Sequence, residues 1–450
     1  MPKHKTYNYP RSLPLLKFFL NAEAIRKNPL PFHRKFFNSY GDTFSVNLGN
    51  GKRILLSRDK EVVQYILQKN HKNYFKSTIQ TKYLSKYLGN GLLTANGDYW
   101  LQQRRLIQPA FHRKKMESLI ALIQETIEEE LFELPTKKEV DVFNVMNELA
   151  FNVVANALFN VSVSGETLKR LQKIIQEIQL FLVKEIRLPH KGWWFHVSGQ
   201  VKRHKQLAQE SREIIQKIIE KRKESNETHE DLLDMLLATR YEDTGEPMTT
   251  EQLIDEISIL FVAGHETTAN ALTFTIFLLA KHPSECQKVY EEILKVTAKT
   301  SNLTEQIKIM EYTRAVIDES MRLYPPAWIT DRENLEDDII KDFHIRKNTL
   351  VGVSFYELHR HPEYWESPNA FKPERFIGEQ KKLTNDCYYP FGAGPRMCIG
   401  MSFAVYEMVL ATAYIVKNYR LKTNKVDIKL NPLITLKPIG VTATFDKRNN

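Results

Sequence analysis

The chain has 450 residues, enough to bury a substantial core, and no Gly/Ser-rich or Pro-rich break divides it, so we expect one domain spanning residues 1–450. Its net charge of +10 comes from lysines and arginines scattered among acids, which is typical of solvated helix faces and argues against a nucleic-acid partner. The three cysteines, Cys286, Cys387 and Cys398, fit neither a zinc or iron–sulfur spacing nor a disulfide framework. A reducing cytoplasm is therefore the expected location.

The N-terminal region offers one short apolar run, LPLLKFFL at residues 13–20, which Lys17 interrupts. It is too short to cross a bilayer or to act as a signal peptide, so we expect a soluble protein without a transmembrane anchor. Alternating and β-branched residues at 43–56 predict a small sheet, to which residues 350–354 and 433–444 would also contribute. The sequence pattern predicts helices at residues 118–130, 168–183 and 206–221. The expected fold class is mainly α with a small β subdomain.

Trp100 and Arg104 lie four residues apart, so a helix would place both on one face. From the residues alone, this pair is either a ligand-binding face or an exposed Trp/Arg stripe.

A long helix is predicted from about residue 250 to 281, started by a Thr249/Gln252 capping box and ended before Pro283. At its middle, Ala263 and Gly264 lack bulk, so a flat ligand could approach the backbone. Thr267 could donate to the carbonyl of Ala263 four residues earlier and open a local distortion. Glu266 beside Thr267 would suit a proton relay, although a solvated glutamate and an idle helix threonine explain the same residues.

Glu319 and Arg322 are three residues apart in a helix predicted at 310–323, which Pro325 and Pro326 would end. Such a pair is common and weak when it stands alone.

Near the C-terminus, Cys398 lies in a glycine-rich loop at 391–400, directly before an apolar helix predicted at 402–414. A helix N-terminus would stabilise an anionic sulfur that binds a soft metal. Packing is the commoner role of a buried cysteine, so the loop alone leaves both interpretations open.

The loop has the pattern Phe-x-x-Gly-x-Arg-x-Cys-x-Gly, with Phe391, Arg396 and Cys398 at its named positions. It resembles the haem-binding loop of the cytochrome P450 family, the haem-thiolate monooxygenases. The resemblance implies that Cys398 is the proximal iron ligand, Arg396 contacts a haem propionate and Phe391 packs near the sulfur. A thiolate ligand favours O–O cleavage.

Other segments carry the same resemblance in the family's order. The run 263–268, Ala-Gly-His-Glu-Thr-Thr, is similar to the oxygen-activation motif, which assigns Thr267 as the alcohol and Glu266 as the acid, with Ala263 and Gly264 beside the haem. The run 371–376, Phe-Lys-Pro-Glu-Arg-Phe, resembles the loop whose arginine joins a buried triad, here Glu319, Arg322 and Arg375. The residues implied as propionate partners are Trp100, Arg104, Arg332 and His359.

The resemblance implies the cytochrome P450 fold, a haem b cofactor (iron protoporphyrin IX), O2 as co-substrate and a hydrophobic small-molecule substrate such as a fatty acid, a terpenoid or a similar lipid. It is closest to the soluble bacterial members. The residues after Cys398 are too few for a fused reductase domain, so electrons would come from an external reductase system with a ferredoxin- or flavodoxin-type donor. A basic cluster at 113–115 is a candidate docking surface for that donor, and we expect a monomer.

Two other functions fit the same loop. A haem-thiolate hydroperoxide isomerase, lyase or peroxygenase would need no proton relay, and a non-catalytic haem sensor would need no oxygen groove. The Glu266–Thr267 pair favours the monooxygenase over both.

Overall fold

The computed structural model describes residues 7–49, 52–160, 165–225 and 229–448. The helices are α1 Leu15–Leu20, α2 Ala22–Lys27, α3 Leu30–Tyr40, α4 Lys60–Gln64, α5 Ser85–Leu88, α6 Gly97–Ile107, α7 Arg113–Ser118, α8 Ile120–Leu131, α9 Val142–Phe159, α10 Gly165–Arg187, α11 Gly192–Val197, α12 Gln200–Glu224, α13 Leu232–Leu237, α14 Thr250–Lys281, α15 Pro283–Lys299, α16 Leu303–Ile309, α17 Glu311–Leu323, α18 Phe355–Leu358, α19 Gln380–Thr384 and α20 Met401–Asn418.

The strands are β1 Ser12–Leu13, β2 Thr43–Gly49, β3 Lys52–Ser57, β4 Tyr74–Phe75, β5 Glu139–Asp141, β6 Thr330–Asn334, β7 Asp338–Ile340, β8 Phe343–Ile345, β9 Leu350–Val353, β10 Tyr419–Lys422, β11 Lys429–Pro432, β12 Leu436–Ile439 and β13 Thr442–Lys447. The chain divides into two compact units. Unit 1 comprises Met1–Ser77, Asp318–Cys398 and Leu430–Lys437, and unit 2 comprises Thr78–Ile317, Ile399–Lys429 and Pro438–Asn450. A single domain spanning the whole chain, with no fused reductase domain, stays a prediction.

Unit 1 is organised by a six-stranded mixed sheet in the order β1-β2-β3-β9-β6-β4. Within the predicted sheet region, residues 43–49 and 52–56 lie in the antiparallel pair β2–β3, and residues 50–51 lie outside the described part of the chain. Strand β3 lies parallel to β9, with Leu55 opposite Val351. Phe36 and Phe37 of α3 pack on Phe44 of β2, so the helix covers one face of the sheet with aromatic side chains.

Unit 2 is mainly helical, and α14 runs through its core. The predicted capping box is present: Gln252 N–H donates to Thr249 Oγ1, and the Gln252 side chain accepts from the Thr249 N–H. Phe261 of α14 is fully buried between Phe151 and Phe159 of α9. Among the described residues, α9 is also the one helix whose length and composition would allow it to cross a membrane, and 61% of it is buried, as in a core helix.

The predicted helices at 168–183 and 206–221 are present as parts of α10 and α12. The predicted helix at 118–130 is interrupted: it begins at the last residue of α7, passes through a turn at Leu119 and continues as α8. Residues 433–444 were predicted to join the sheet that contains β2, β3 and β9, and this prediction was wrong. Strand β13 instead lies between β10 and β5 in unit 2, with Leu421 opposite Phe445. Strand alternation predicts a buried face but contains no information about which strand lies next to it.

Candidate active site

Residues 391–398 of the Cys398 loop belong to unit 1, and two glycines shape the loop. Gly392 and Gly394 have φ of 72° and 69°, a left-handed backbone that favours glycine. A Cβ on Gly394 would lie 1.9 Å from the carbonyl oxygen of Leu67, so this position also requires the absence of a side chain. The loop closes on itself where Cys398 N–H donates to the Phe391 carbonyl at 3.0 Å. The Cys398 side chain is exposed, and the chain enters α20 three residues later.

Three cations of unit 1 lie close enough to affect one another: Lys76, Arg332 and Arg396. Burial, with Arg332 adding, lowers the pKa of Arg396 to about 9, and burial lowers the pKa of Arg332 to about 10 against the opposing effect of Asp331. The pKa of Lys76 is lowered well below its usual value by burial and then by both arginines. Mutual repulsion among clustered, partly desolvated cations is relieved by an anionic ligand, so this cluster suits a carboxylate-bearing molecule.

Arg332 and Arg396 were predicted from the sequence as propionate partners, and the structure places them together. Lys76 was not predicted. No local pattern marks it, because it comes from a different part of the chain and only the tertiary fold brings it to the two arginines.

Glu319, Arg322 and Arg375 meet in unit 1. Arg322 donates to both carboxylate oxygens of Glu319, through Nε at 2.7 Å and Nη2 at 2.8 Å, and Arg375 Nε lies 3.4 Å from Glu319 Oε1. Glu319 also accepts from the Lys372 N–H at 2.9 Å. Both Glu319 and Arg322 are completely buried, and bidentate bonding offsets the loss of their hydration.

The remaining guanidinium donors of this cluster bind loop carbonyls. Arg322 donates to the carbonyls of His359, Pro368 and Ala370, and Arg375 Nη2 donates to those of Glu366 and Ser367. The cluster therefore fastens residues 359–375 to α17.

His359 occupies a different environment from Arg332 and Arg396. Its ring is completely buried, and its Nε2 accepts from the Tyr389 N–H at 2.9 Å, two residues before Phe391. Burial, with Arg322 and Arg360 adding, lowers its pKa well below the usual value, so the imidazole is neutral. This geometry favours support of the Cys398 loop rather than the predicted contact with a propionate.

In unit 2, the middle of α14 has an open face. Ala263 is exposed and Gly264, Glu266 and Thr267 are half-buried, although most of the helix around them is buried. A Cβ on Gly264 would lie 3.1 Å from Val154 of α9, so glycine also permits close helix packing here. A ligand with a flat face can reach the backbone of α14 at this point.

Thr267 Oγ1 donates to the Ala263 carbonyl at 2.7 Å, the bond expected from the sequence, and Thr268 makes the equivalent bond to Gly264 at 2.9 Å. His265 points the other way: it is buried, its Nδ1 lies 3.3 Å from the Phe261 carbonyl, and its ring meets the edge of Phe151. The open face therefore presents the hydroxyl and carboxyl groups and hides the imidazole.

Trp100 and Arg104 both lie on α6 of unit 2, as expected. The Trp100 side chain is buried and Arg104 is half-buried, so this pair is not an exposed stripe.

The family model described as Cytochrome P450 matches residues 8–444. Cyclooctat-9-en-7-ol 5-monooxygenase of Streptomyces melanosporofaciens is 30% identical over 414 residues, which cover 92% of this chain and 89% of that protein. Echinocystic acid 23-monooxygenase of Saponaria officinalis is 29% identical over 460 residues, which cover 94% of this chain and 85% of that protein. Since these relatives include a plant protein, the assignment of this chain to the soluble bacterial members of the family stays a prediction.

Among solved structures, the crystal structure of the cytochrome P450DA heme domain matches with a TM-score of 0.85 at 20% identity, covering 99% of each chain. At this identity the likeness shows the fold, which is mainly α with a small β region as the sequence predicts.

Proposed function

Because the chain belongs to the cytochrome P450 family and is a monooxygenase, we propose that it inserts one atom of O2 into a hydrophobic small molecule and reduces the other atom to water. A fatty acid, a terpenoid or a similar lipid is the proposed substrate, and a separate ferredoxin- or flavodoxin-type protein the proposed electron donor. We further propose a monomer in the cytoplasm.

The family implies a haem b cofactor, and the side chains of each unit fit it. In unit 1, the clustered basic side chains of Lys76, Arg332 and Arg396 suit propionates, and the exposed thiol of Cys398 suits iron. In unit 2, the open face at Ala263 suits a flat macrocycle. When bound, haem supplies the redox chemistry of oxygen activation.

The chain's own groups would hold and protonate the reactants. The Cys398 sulfur would bind the haem iron, and the Glu319 cluster would keep the loops of unit 1 in place. Thr267 Oγ1 would hold a proton at the open face of α14, and the Glu266 carboxyl would resupply it from solvent. Residues 113–115 remain a candidate donor-docking surface; the side chain of Arg113 lies outside the described residues.

The observation that carries this proposal is the open face of α14, where a hydroxyl and a carboxyl flank an exposed alanine in an otherwise buried helix. Neither an isomerase nor a sensor has a use for this arrangement.

The first test is the visible spectrum of the purified haem-loaded protein, reduced and then exposed to carbon monoxide. A thiolate-type red-shifted Soret band in the wild type that is lost in Cys398→Ala supports the ligand assignment. An imidazole-type band in the wild type contradicts it.

The second test measures product formed per electron consumed in Thr267→Ala. We expect haem to be retained while reducing equivalents are diverted to peroxide or water. Thr273→Ala is the matched control, since Thr273 makes the same hydroxyl-to-carbonyl bond in α14, to Ala269 at 2.7 Å, but is completely buried. Unchanged coupling in Thr267→Ala, or activity with hydroperoxide and none with O2 and electrons, would refute the relay.

A further inference from the structure

Two adjacent carboxylates of α14 hold the start of the segment that joins α5 to α6. Asp255 Oδ2 accepts from the Asn90 N–H at 2.7 Å, and both oxygens of Glu256 accept from the Leu92 N–H at 3.0 Å. Asp255 also forms an ion pair with Arg212 of α12. The segment has no regular secondary structure at residues 89–92, so these bonds are what fixes its backbone to the helix.

Two glycines allow this close approach. A Cβ on Gly91 would lie 2.8 Å from the Glu256 carboxyl group, and one on Gly89 would lie 2.0 Å from Asp255 Oδ1. Gly89 also has a φ of 82°, which a residue with a side chain rarely adopts. Each glycine therefore leaves room for one of the two carboxylates. Glu256 is 1% exposed as a result.

We propose that Asp255 and Glu256 form a clamp that sets the position of residues 89–92, and that the protonation state of Glu256 decides how often this segment leaves α14. By resemblance to the cytochrome P450 family, residues 76–93 would line the substrate pocket. The segment lies within them, and it leads into α6 with Trp100 and Arg104. Asp255 and Glu256 are thus positioning residues. Their effect on substrate binding rests on the proposed function, whereas the clamp itself does not.

The electrostatics give the direction of the effect. Burial raises the pKa of Glu256 to about 7; the Leu92 N–H opposes this rise and the charge of Asp255 adds to it. A segment held in place therefore favours the protonated carboxyl, and an open segment that hydrates Glu256 favours the carboxylate. Raising the pH should loosen the clamp, because desolvation of the charge outweighs the bonds to the Leu92 N–H.

Other titratable groups lie near the pair. The pKa of Tyr99 is raised, mainly by burial, and the pKa of Arg212 is raised because its acidic partners outweigh its burial. The charged or titratable neighbours of the clamp are Tyr99, Arg212, Tyr241 and Glu251. With the pKa of Glu256 at its ordinary 4.5 in the open state, opening should become about tenfold more frequent between pH 6 and pH 8.

The test is amide hydrogen exchange of the full-length haem-loaded protein between pH 6 and pH 8, corrected for the intrinsic pH dependence of exchange. Peptides covering residues 89–96 should lose protection about tenfold, with α9 as the internal reference. In Glu256→Gln the loss should vanish, because the amide does not titrate. Glu246→Gln, at an exposed position before α14, should follow the wild type.

A second variant distinguishes the titration of Glu256 from its hydrogen bond to the segment. Asp255→Asn removes the neighbouring negative charge, so the midpoint of the protection loss should move to lower pH. The proposal is overturned if Glu256→Gln keeps the wild-type pH dependence, or if the wild type shows none relative to α9. Should Glu256→Gln fail to fold, the wild-type series and Asp255→Asn still decide.

The substrate consequence is read separately, as the pH dependence of KM against that of kcat. We expect KM to rise from pH 6 to pH 8 in the wild type and to stay flat in Glu256→Gln. If exchange follows the prediction but the protein oxidises nothing, the clamp stands and the proposed function fails. If the protein oxidises a substrate but the exchange of residues 89–96 does not change with pH, the proposed function stands and the clamp fails.

Discussion

Glu319 in unit 1 and Glu256 in unit 2 are both buried glutamates on helices, but their partners differ. Glu319 receives two guanidiniums, from Arg322 and Arg375. Glu256 receives one backbone N–H and has a second carboxylate beside it. Equal burial therefore produces a neutralised ion cluster in one unit and a group that titrates near neutral pH in the other. Partners, more than burial, decide whether a buried carboxyl is a fixed support or a switch.

Glu319→Ala should have the largest effect of the three variants. It leaves two arginines near a buried cavity without their carboxylate, which should lower the free energy of unfolding by about 3–5 kcal/mol. Urea unfolding of the purified variant measures this, with the exposed Glu379→Ala as control. A loss below about 1 kcal/mol would mean that the cluster contributes little to stability.

Glu256→Gln should change how the free energy of unfolding depends on pH. In the wild type the folded state binds the Glu256 proton more tightly than the unfolded state, so its stabilising contribution is complete below pH 4.5 and is lost as the pH rises through about 7. The loss should amount to about 3 kcal/mol by pH 8. Urea unfolding at pH 5 and pH 8 should show about 2.5 kcal/mol of this drop in the wild type and none of it in the variant, because the rest is already lost by pH 5. Parallel pH profiles would contradict it.

Arg375→Ala should have the smallest effect of the three. Arg375 is the outer partner of Glu319, at 3.4 Å and with 12% of its side chain exposed, and Arg322 remains bidentate in the variant. We expect a loss of about 1–3 kcal/mol and a reduced haem content, because the carbonyls of residues 366 and 367 lose their donor. Arg170→Ala, which removes an exposed ion pair with Glu210, is the control for Tm and haem content. Normal haem content in Arg375→Ala would argue against its support of the loops.

Much of the fold was predictable because its signals are local. The capping box of Thr249 and Gln252 and the stop at Pro283 placed both ends of α14, and apolar periodicity located α8, α10 and α12. The neighbours of β13 were not predictable, since pairing with β5 and β10 joins residues that are distant in the chain.

The candidate site divides in the same way. Motif spacing was enough to single out Cys398, Thr267 and the Glu319–Arg322 pair, and the bond from Thr267 to Ala263 follows from helix geometry alone. The buried ring of His359, which accepts from the Tyr389 N–H, has no such local signal.

Local sequence signals were sufficient for the predicted helices, the Cys398 loop and the family, because these depend on periodicity, caps, motifs and glycines at fixed spacing. The fold, and no local signal, brings Lys76 to Arg332 and Arg396 and buries Glu256 against the Leu92 N–H. The physical reason is that charge interactions and desolvation depend on which distant segments share a low-dielectric environment, and residue spacing along one segment does not specify that environment.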